Sequence, residues 1–223
     1  MPSTLVHAGF ALLLAAGLLG AAYDRRALAV LLVVVVVPEA DTVAGIWIDG
    51  AHRALGHNLT IPLAVGVALY WDTRLREPDG SWLHSRWGTW GVRVAWVGLF
   101  VHLFAHVLLD YAHLEGINVF YPVYDRFFRL EGEILFSTAE GVVQTFVEIE
   151  RDVETETVVA DVGGGGTTGD THVANPVEPS ADPDDGPTDR RFPIAEAGWQ
   201  LYLLLVGPFV LLARRLQDRD GEE

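Results

Sequence analysis

The chain of 223 residues is 50% hydrophobic, with a mean hydropathy of +0.27 and a formal net charge of −15. So apolar a composition excludes an ordinary soluble domain and is typical of a multi-pass membrane protein with one polar segment. Because an acidic surface repels phosphates, no nucleic acid partner is expected.

The ionisable residues narrow the chemistry further. All fifteen basic residues are arginine, and acidic residues outnumber them two to one. This composition resembles that of haloarchaeal proteins, so a halophilic protein is expected. The sequence contains no cysteine, which excludes disulfides and thiolate ligands. Any metal must therefore be bound by nitrogen and oxygen.

Five apolar stretches predict membrane segments, at about 5–22, 27–37, 59–71, 94–111 and 195–213. We expect the first to be a retained transmembrane helix rather than a signal peptide, because no basic residue precedes it and His7 lies within it. The second is short and rich in valine, but an open strand edge is forbidden in lipid, so a helix is expected. Together they predict an all-α integral membrane bundle with about four or five segments.

Polar segments separate these stretches. Residues 72–93, rich in tryptophan and arginine, predict an interfacial loop, and residues 114–152 predict an amphipathic helix. Glycine, aspartate, threonine and proline dominate 153–192, which predicts a disordered acidic linker. The expected organisation is a membrane domain over 1–152, the linker over 153–192, and a final transmembrane helix and tail over 193–223.

The arginines predict the orientation. Those between the first two apolar stretches, those within 72–93 and those after the last stretch all fall on one side if the segments alternate. That side is expected to be cytoplasmic in a multi-pass plasma membrane protein. The histidines and carboxylates at the other ends of the stretches then face outward.

His106 and Asp110 lie four residues apart, so they share one face of a helix. Such a pair can hold a metal from one side, although an interhelical hydrogen bond is an equal alternative. His52 and His57 are five apart and converge only if Gly56 breaks the helix, or if they serve different metals. Their alternative is a solvated loop with incidental histidines.

Two further groups complete the candidate set. Glu39 and Asp41 follow Pro38 at the end of an apolar stretch, where they can bind metal or simply end a helix. His7 alone is weak evidence for a metal site, because a single histidine in an apolar helix more often makes a structural hydrogen bond. Histidines and carboxylates at one membrane face predict a divalent metal centre of one or more ions, with zinc the leading candidate.

The order of these motifs resembles that of the membrane-bound metal-dependent hydrolases of the YdjM-like family. That family has an early T-x-x-H, a P-D-x-D, an H-R-G-x-T-H-S and an H-x-x-x-D that leads to a glycine and an aromatic-proline pair. The matching segments here, over about residues 1–125, are TLVH at 4–7, PEAD at 38–41, HRALGHN at 52–58, HVLLD at 106–110, Gly116 and FYP at 120–122.

The resemblance implies a ligand set of His7, Glu39, Asp41, His52, His57, His106 and Asp110. The family is thought to be distantly related to zinc-dependent phospholipase C and single-strand nucleases, which implies phosphoester hydrolysis. Three departures, at Ala54, Gly56 and Asn58, put hydrogen bonds behind the ligands in question, and Glu39 replaces an aspartate.

These observations predict a metal-dependent hydrolase of a lipid or lipid-linked phosphoester in the bilayer. Glu39 or Asp41 is expected to act as base, and Arg53 to clamp the phosphate. The alternatives are a metal-binding scaffold, whose site would be closed by four protein ligands, and an ion or proton transporter, whose polar groups would cross the bilayer.

Overall fold

The computed structural model describes residues 3–48, 51–113, 116–139, 141–151, 158–161, 163–169 and 194–220. Within them the chain is mostly helical, and its helices are α1 (Thr4–Leu18), α2 (Arg25–Val36), α3 (Asp41–Ala44), α4 (Thr60–Tyr70), α5 (Trp82–Phe100), α6 (Leu108–Tyr111) and α7 (Gly198–Asp220). Short 3₁₀ turns cover Gly20–Ala22, Val37–Ala40 and Pro78–Gly80, and π-helical segments cover Trp71–Leu75 and Val101–Val107.

Two continuous helical units are long and apolar enough to cross a bilayer. They run from Arg25 to Ala44, through α2 and α3, and from Trp82 to Tyr111, through α5 and α6. Thr4–Leu18 and Gly198–Arg214 are shorter apolar helices. The prediction that the valine-rich stretch after residue 27 is helical, and not a strand, is therefore confirmed.

The prediction of an interfacial loop over 72–93 is wrong for its second half, because α5 begins at Trp82. Two side chains start this helix. The Ser81 hydroxyl accepts from the backbone N–H of His84 at 3.0 Å. The Asp72 carboxylate accepts from those of Trp82 and Leu83, at 2.8 and 3.0 Å. These caps satisfy backbone donors that would otherwise be left open.

The core is built from small and branched side chains of three helices. Ala11, Ala15, Leu19, Ala27, Leu31, Val35, Val94, Val97, Val101 and Ala105 are buried together from α1, α2, α5 and the π-helical segment that follows it. At the edge of this core α7 runs parallel to α1. A side chain at Gly9 would meet the Leu203 carbonyl at 2.7 Å, and one at Gly207 would overlap the Gly9 carbonyl. Two glycines therefore set this close helix contact.

Arginines meet the carbonyl end of α1. Arg93 donates to the Leu18 carbonyl at 2.9 Å. Arg214 donates to the carbonyls of Ala16 and Gly20, and its guanidinium lies 4.1 Å from the ring centre of Tyr23. The last carbonyls of a helix carry partial negative charge and lack helical partners, so these arginines complete the helix end. Two of the arginines predicted to share one side of the membrane, Arg93 and Arg214, therefore lie together at this end of α1.

The prediction of an amphipathic helix over 114–152 is wrong. β1 (Ile134–Ser137) pairs antiparallel with β2 (Gly141–Gln144), and β3 (Glu148–Arg151) pairs with β4 (Val158–Asp161). Gly141 has φ +78°, a backbone conformation that favours glycine and disfavours a continuing helix. The aromatic and β-branched residues beside it favour strands.

Part of the predicted linker, residues 158–161 and 163–169, is ordered. β4 lies within it, and the following residues contact 125–129. Phe127 donates to the Gly166 carbonyl at 2.9 Å and accepts from Gly165 at 2.7 Å, while Thr168 donates its hydroxyl to Asp125 at 2.6 Å. The rest of the predicted linker, residues 153–157, 162 and 170–192, lies outside the described residues.

The α1–α7 contact predicts opposite effects for two glycines of α1. Gly9→Ala places a methyl group against the α7 backbone and should lower the free energy of unfolding in detergent by about 1–3 kcal/mol. Gly17 has open space around it, so Gly17→Ala should leave stability unchanged or raise it by up to ~1 kcal/mol. Thermal melts followed by circular dichroism measure both. Equal destabilisation by the two substitutions would contradict the contact.

Candidate metal centre

The predicted ligands come together at the end of the bundle opposite the arginines. His7 lies in the first turns of α1, and Glu39 and Asp41 lie where α2 passes into α3. His106 lies in the π-helical segment Val101–Val107, and Asp110 follows in α6. The loop 45–59 adds the remaining histidines. Four separate parts of the chain thus supply one cluster.

The Asp110 carboxylate lies between three histidines. Its Oδ1 is 3.4 Å from Nε2 of His7, and its Oδ2 is 3.2 Å from Nε2 of His57. Nε2 of His106 is 3.8 Å from the same Oδ2. All four side chains are fully buried. The two oxygens of one carboxylate therefore face different histidines, which suits a bridging or central ligand.

The three imidazoles are packed against each other. Nε2 of His57 and Nε2 of His106 are 2.8 Å apart, and the rings of His7 and His106 lie 4.5 Å apart between their centres. Two imidazole nitrogens approach so closely only when a proton lies between them or when both face one cation. The ring nitrogens of this cluster are thus directed at a common point.

Several buried polar atoms in the cluster make no hydrogen bond among the described residues. They are Nε2 of His7, Oε1 of Glu39 and both carboxylate oxygens of Asp110. Leaving such an atom unsatisfied costs about 1–3 kcal/mol, and more if it is charged. Two overlapping sets of ligand atoms lie within 4.8 Å of one another: His7, Glu39 and His106, and His57, His106 and Asp110. These donors fit a divalent cation.

Hydrogen bonds on the far side of the rings orient two of the histidines. Nδ1 of His57 lies 2.7 Å from Oδ2 of Asp41, and Nδ1 of His7 lies 2.7 Å from the Ala105 carbonyl. Both partners only accept, so each Nδ1 carries the proton and donates it. In the neutral imidazole each Nε2 then has its lone pair directed into the cluster, as in carboxylate–histidine–metal arrangements.

Asp41 uses both of its oxygens to hold the loop. Besides His57, it accepts from Nδ1 of His52 at 3.0 Å and from the backbone N–H groups of Arg53 and Gly56, both at 3.2 Å. The structure therefore places Asp41 behind the histidines and not within either set of converging ligand atoms. His52 is likewise outside both sets.

The loop residues 51–59 fold tightly against the turn that ends α2. A side chain at Gly56 would lie 2.5 Å from the Pro38 carbonyl and 2.8 Å from its Cα, so only glycine fits. Arg53 adopts φ +64°. Its side chain is fully buried, and its Nη1 donates to the Gly116 carbonyl at 3.0 Å. The residue predicted to clamp phosphate thus ties the loop to the segment after α6.

His57 lies outside the candidate spans. Burial lowers the pKa of its imidazole, but contacts with Asp110 and Asp41 and the charges of these carboxylates outweigh burial and raise that pKa to about 10. The cluster therefore attracts positive charge.

Sequence reasoning missed two structural partners of the cluster, Ala105 and Asn118. The Ala105 carbonyl accepts from His7, which lies 98 residues away, and the backbone N–H of Asn118 donates to the Arg53 carbonyl. Backbone contacts of this kind leave no signal in residue identity. The π-helical turn that holds His106 and Ala105 is likewise invisible to a helical pattern, although such turns often occur at functional sites.

Comparison with known proteins places the chain in a family. The model of the YdjM inner membrane protein family matches residues 1–161, a region that includes every predicted ligand. Neither the curated proteins nor the solved structures gave a significant match. Since the family match covers more than half of the sequence, this chain belongs to the YdjM inner membrane protein family and is a membrane protein.

Proposed function

We propose that this membrane protein is a metal-dependent hydrolase that cleaves a phosphoester, carried by a lipid or a lipid-linked molecule, at the outer membrane interface. One observation carries the proposal: buried atoms of His7, Glu39 and Asp110 make no hydrogen bond, and they converge with His57 and His106, whose Nε2 atoms contact each other. Zinc suits this set of imidazoles and carboxylates, since the chain has no cysteine.

Each set of converging atoms contains three ligands, and His106 belongs to both. A histidine nitrogen has one lone pair, so His106 binds one ion only. Asp110 faces His7 with one oxygen and His57 with the other, an arrangement that supports two neighbouring ions as well as one. A bound divalent metal polarises a phosphoryl oxygen and lowers the pKa of a coordinated water.

The structure favours Glu39 over Asp41 as the base. Four hydrogen bonds already occupy the Asp41 carboxylate. Glu39 is held less tightly: its Oε1 lies 3.9 Å from Nε2 of His7, and its side chain is 16% exposed. A carboxylate at the edge of the cluster can accept a proton from water and release it to solvent. We assign Asp41 the task of fixing His52 and His57.

The rivals are weaker for specific reasons. A transporter needs polar groups across the bilayer, but the buried core between the two ends consists of alanine, leucine and valine among the described residues. A structural metal site is supported by one observation: five candidate ligands are enough to close a four-coordinate ion. Electronic spectra of the cobalt-substituted protein distinguish a structural site from a catalytic one. Only a site with an open coordination position changes its spectrum when inorganic phosphate is added.

Removal of central ligands should remove the metal. We expect purified parent protein to contain near-stoichiometric zinc or another divalent transition metal by elemental analysis. His106→Ala and the nearly isosteric Asp110→Asn should each lose most of it, because they delete donors at the centre of the cluster. His84→Ala, at the start of α5, is the matched control. Full metal content in folded Asp110→Asn protein would contradict the proposal.

Asp41→Asn tests orientation rather than ligation. The amide cannot accept from both imidazoles and both backbone groups as the carboxylate does, so His57 loses its fixed Nε2 direction. Loss of such a partner weakens metal binding by about 10- to 100-fold. Competition with a fluorescent chelator measures the affinity, and Glu77→Gln serves as control. An unchanged affinity would show that Asp41 does not position the ligands.

The proposed orientation can be tested because the chain has no cysteine. Val123, near the cluster, is 84% exposed, and Gly80, beside Arg76, is also exposed. On intact cells, an impermeant thiol reagent should label Val123→Cys and should label Gly80→Cys only after lysis. The reverse pattern would place the metal centre in the cytoplasm.

A further inference from the structure

We propose that a groove between α2 and α4 seats one acyl chain of a phospholipid and so places its phosphate at the metal centre. The inference rests on the proposed hydrolase and names its substrate class and the way that substrate approaches. The groove has a volume of about 620 Å³. Its walls and floor include Val30, Val33, Val65, Leu69, Ala95 and Gly98.

The groove opens sideways to the surroundings of the bundle. Val33 on α2 is 59% exposed and Val65 on α4 is 44% exposed, although both are purely apolar. The groove is deep on the α5 side, because alanine at position 95 and glycine at position 98 leave space there. In a bilayer this opening faces hydrocarbon, and an empty groove would lose dispersion contacts on its lining. A lipid chain is the occupant that membrane surroundings supply.

The length of the groove matches one leaflet. Its lining on α2 runs from Val30 to Asp41, which corresponds to roughly 16 Å at 1.5 Å per helical residue. The hydrocarbon core of a bilayer is about 30 Å thick, so half of it is about 15 Å. One chain that lies in the groove therefore has its headgroup end beside Asp41.

That end of the groove reaches the back of the metal centre. Asp41, Gly56 and His102 line it there. Asp41 is bonded to His57, and the ring of His102 stacks on that of His106 with 6.1 Å between centres. A phosphate at this end of the groove would lie beside the side chains that contact His57 and His106.

A second apolar cavity, on the opposite side of α4, provides the contrast. It has a volume of about 740 Å³ and is lined by residues such as Leu63, Val67 and Leu103. None of the predicted ligands lines it. A chain there would not bring its headgroup to the metal. Because lipid chains are as apolar as the groove, the groove contributes position rather than affinity.

Photo-crosslinking tests the groove. Metal-loaded protein in nanodiscs is exposed to phosphatidic acid with a diazirine at the end of one chain, and in parallel to the matching diacylglycerol. We expect phosphatidic acid to label Val30 and Leu69 several-fold more than diacylglycerol does. Val36, on α2 outside the groove and 51% exposed, should be labelled equally by both.

Variants sharpen the test. Val33→Trp should fill the groove and reduce labelling of Val30 and Leu69 several-fold, while Val36→Trp leaves it unchanged, with metal content equal in both. Equal labelling of the groove residues by the two lipids would overturn the inference. A crosslink between two copies of the protein through the groove would also overturn it. Release of phosphate from p-nitrophenyl phosphate without groove labelling would overturn it and keep the hydrolase. Groove labelling without hydrolysis of either phosphoester would support the groove and overturn the hydrolase.

Discussion

A fully buried carboxylate, Asp110, and the three imidazoles around it set the conditions for this end of the protein. Removing a carboxylate from water costs several kcal/mol even after the surroundings relax. The structure offsets that cost only by bringing positive charge to it, whether as protons on the histidines or as a metal ion. His7, His57 and His106 come from separate parts of the chain, so α1, the loop and the π-helical segment must all dock before the charge is compensated.

The other residues of the site orient the imidazoles of His7 and His57 so that their Nε2 atoms face the cluster. Asp41 and the Ala105 carbonyl take the Nδ1 protons, and the tight packing of Gly56 on Pro38 brings the loop close enough for that. A rigid second layer of this kind keeps ligand atoms directed at one point when no ion is bound. It also explains how two carboxylates two residues apart take different roles. Asp41 makes four hydrogen bonds with the loop, whereas Glu39 lies at the edge of the cluster and is partly exposed.

The two ends of the bundle show different chemistry. At one end, arginines complete the carbonyl end of α1 and contact Tyr23, which stabilises a helix terminus. At the other end, polar atoms are buried and left open. The groove between α2 and α4 joins the apolar middle of the bundle to the second end only. Family membership places this asymmetric bundle in a membrane. The proposed substrate, a phosphoester with a lipid chain, agrees with a groove that opens from the side of the bundle.

Residue pattern alone predicted the helices at the apolar stretches, because these depend on local composition. It was wrong where single residues decide local structure: Asp72 caps α5, which had the composition of a loop, and Gly141, with its positive φ, lies at a hairpin in a segment that had the composition of a helix. Only the tertiary structure decided which nitrogen of His57 faces the cluster, that Asp41 lies behind it and that Arg53 is buried. These outcomes depend on distances between groups far apart in the chain, which the packing of the helices sets and the local residue pattern does not encode.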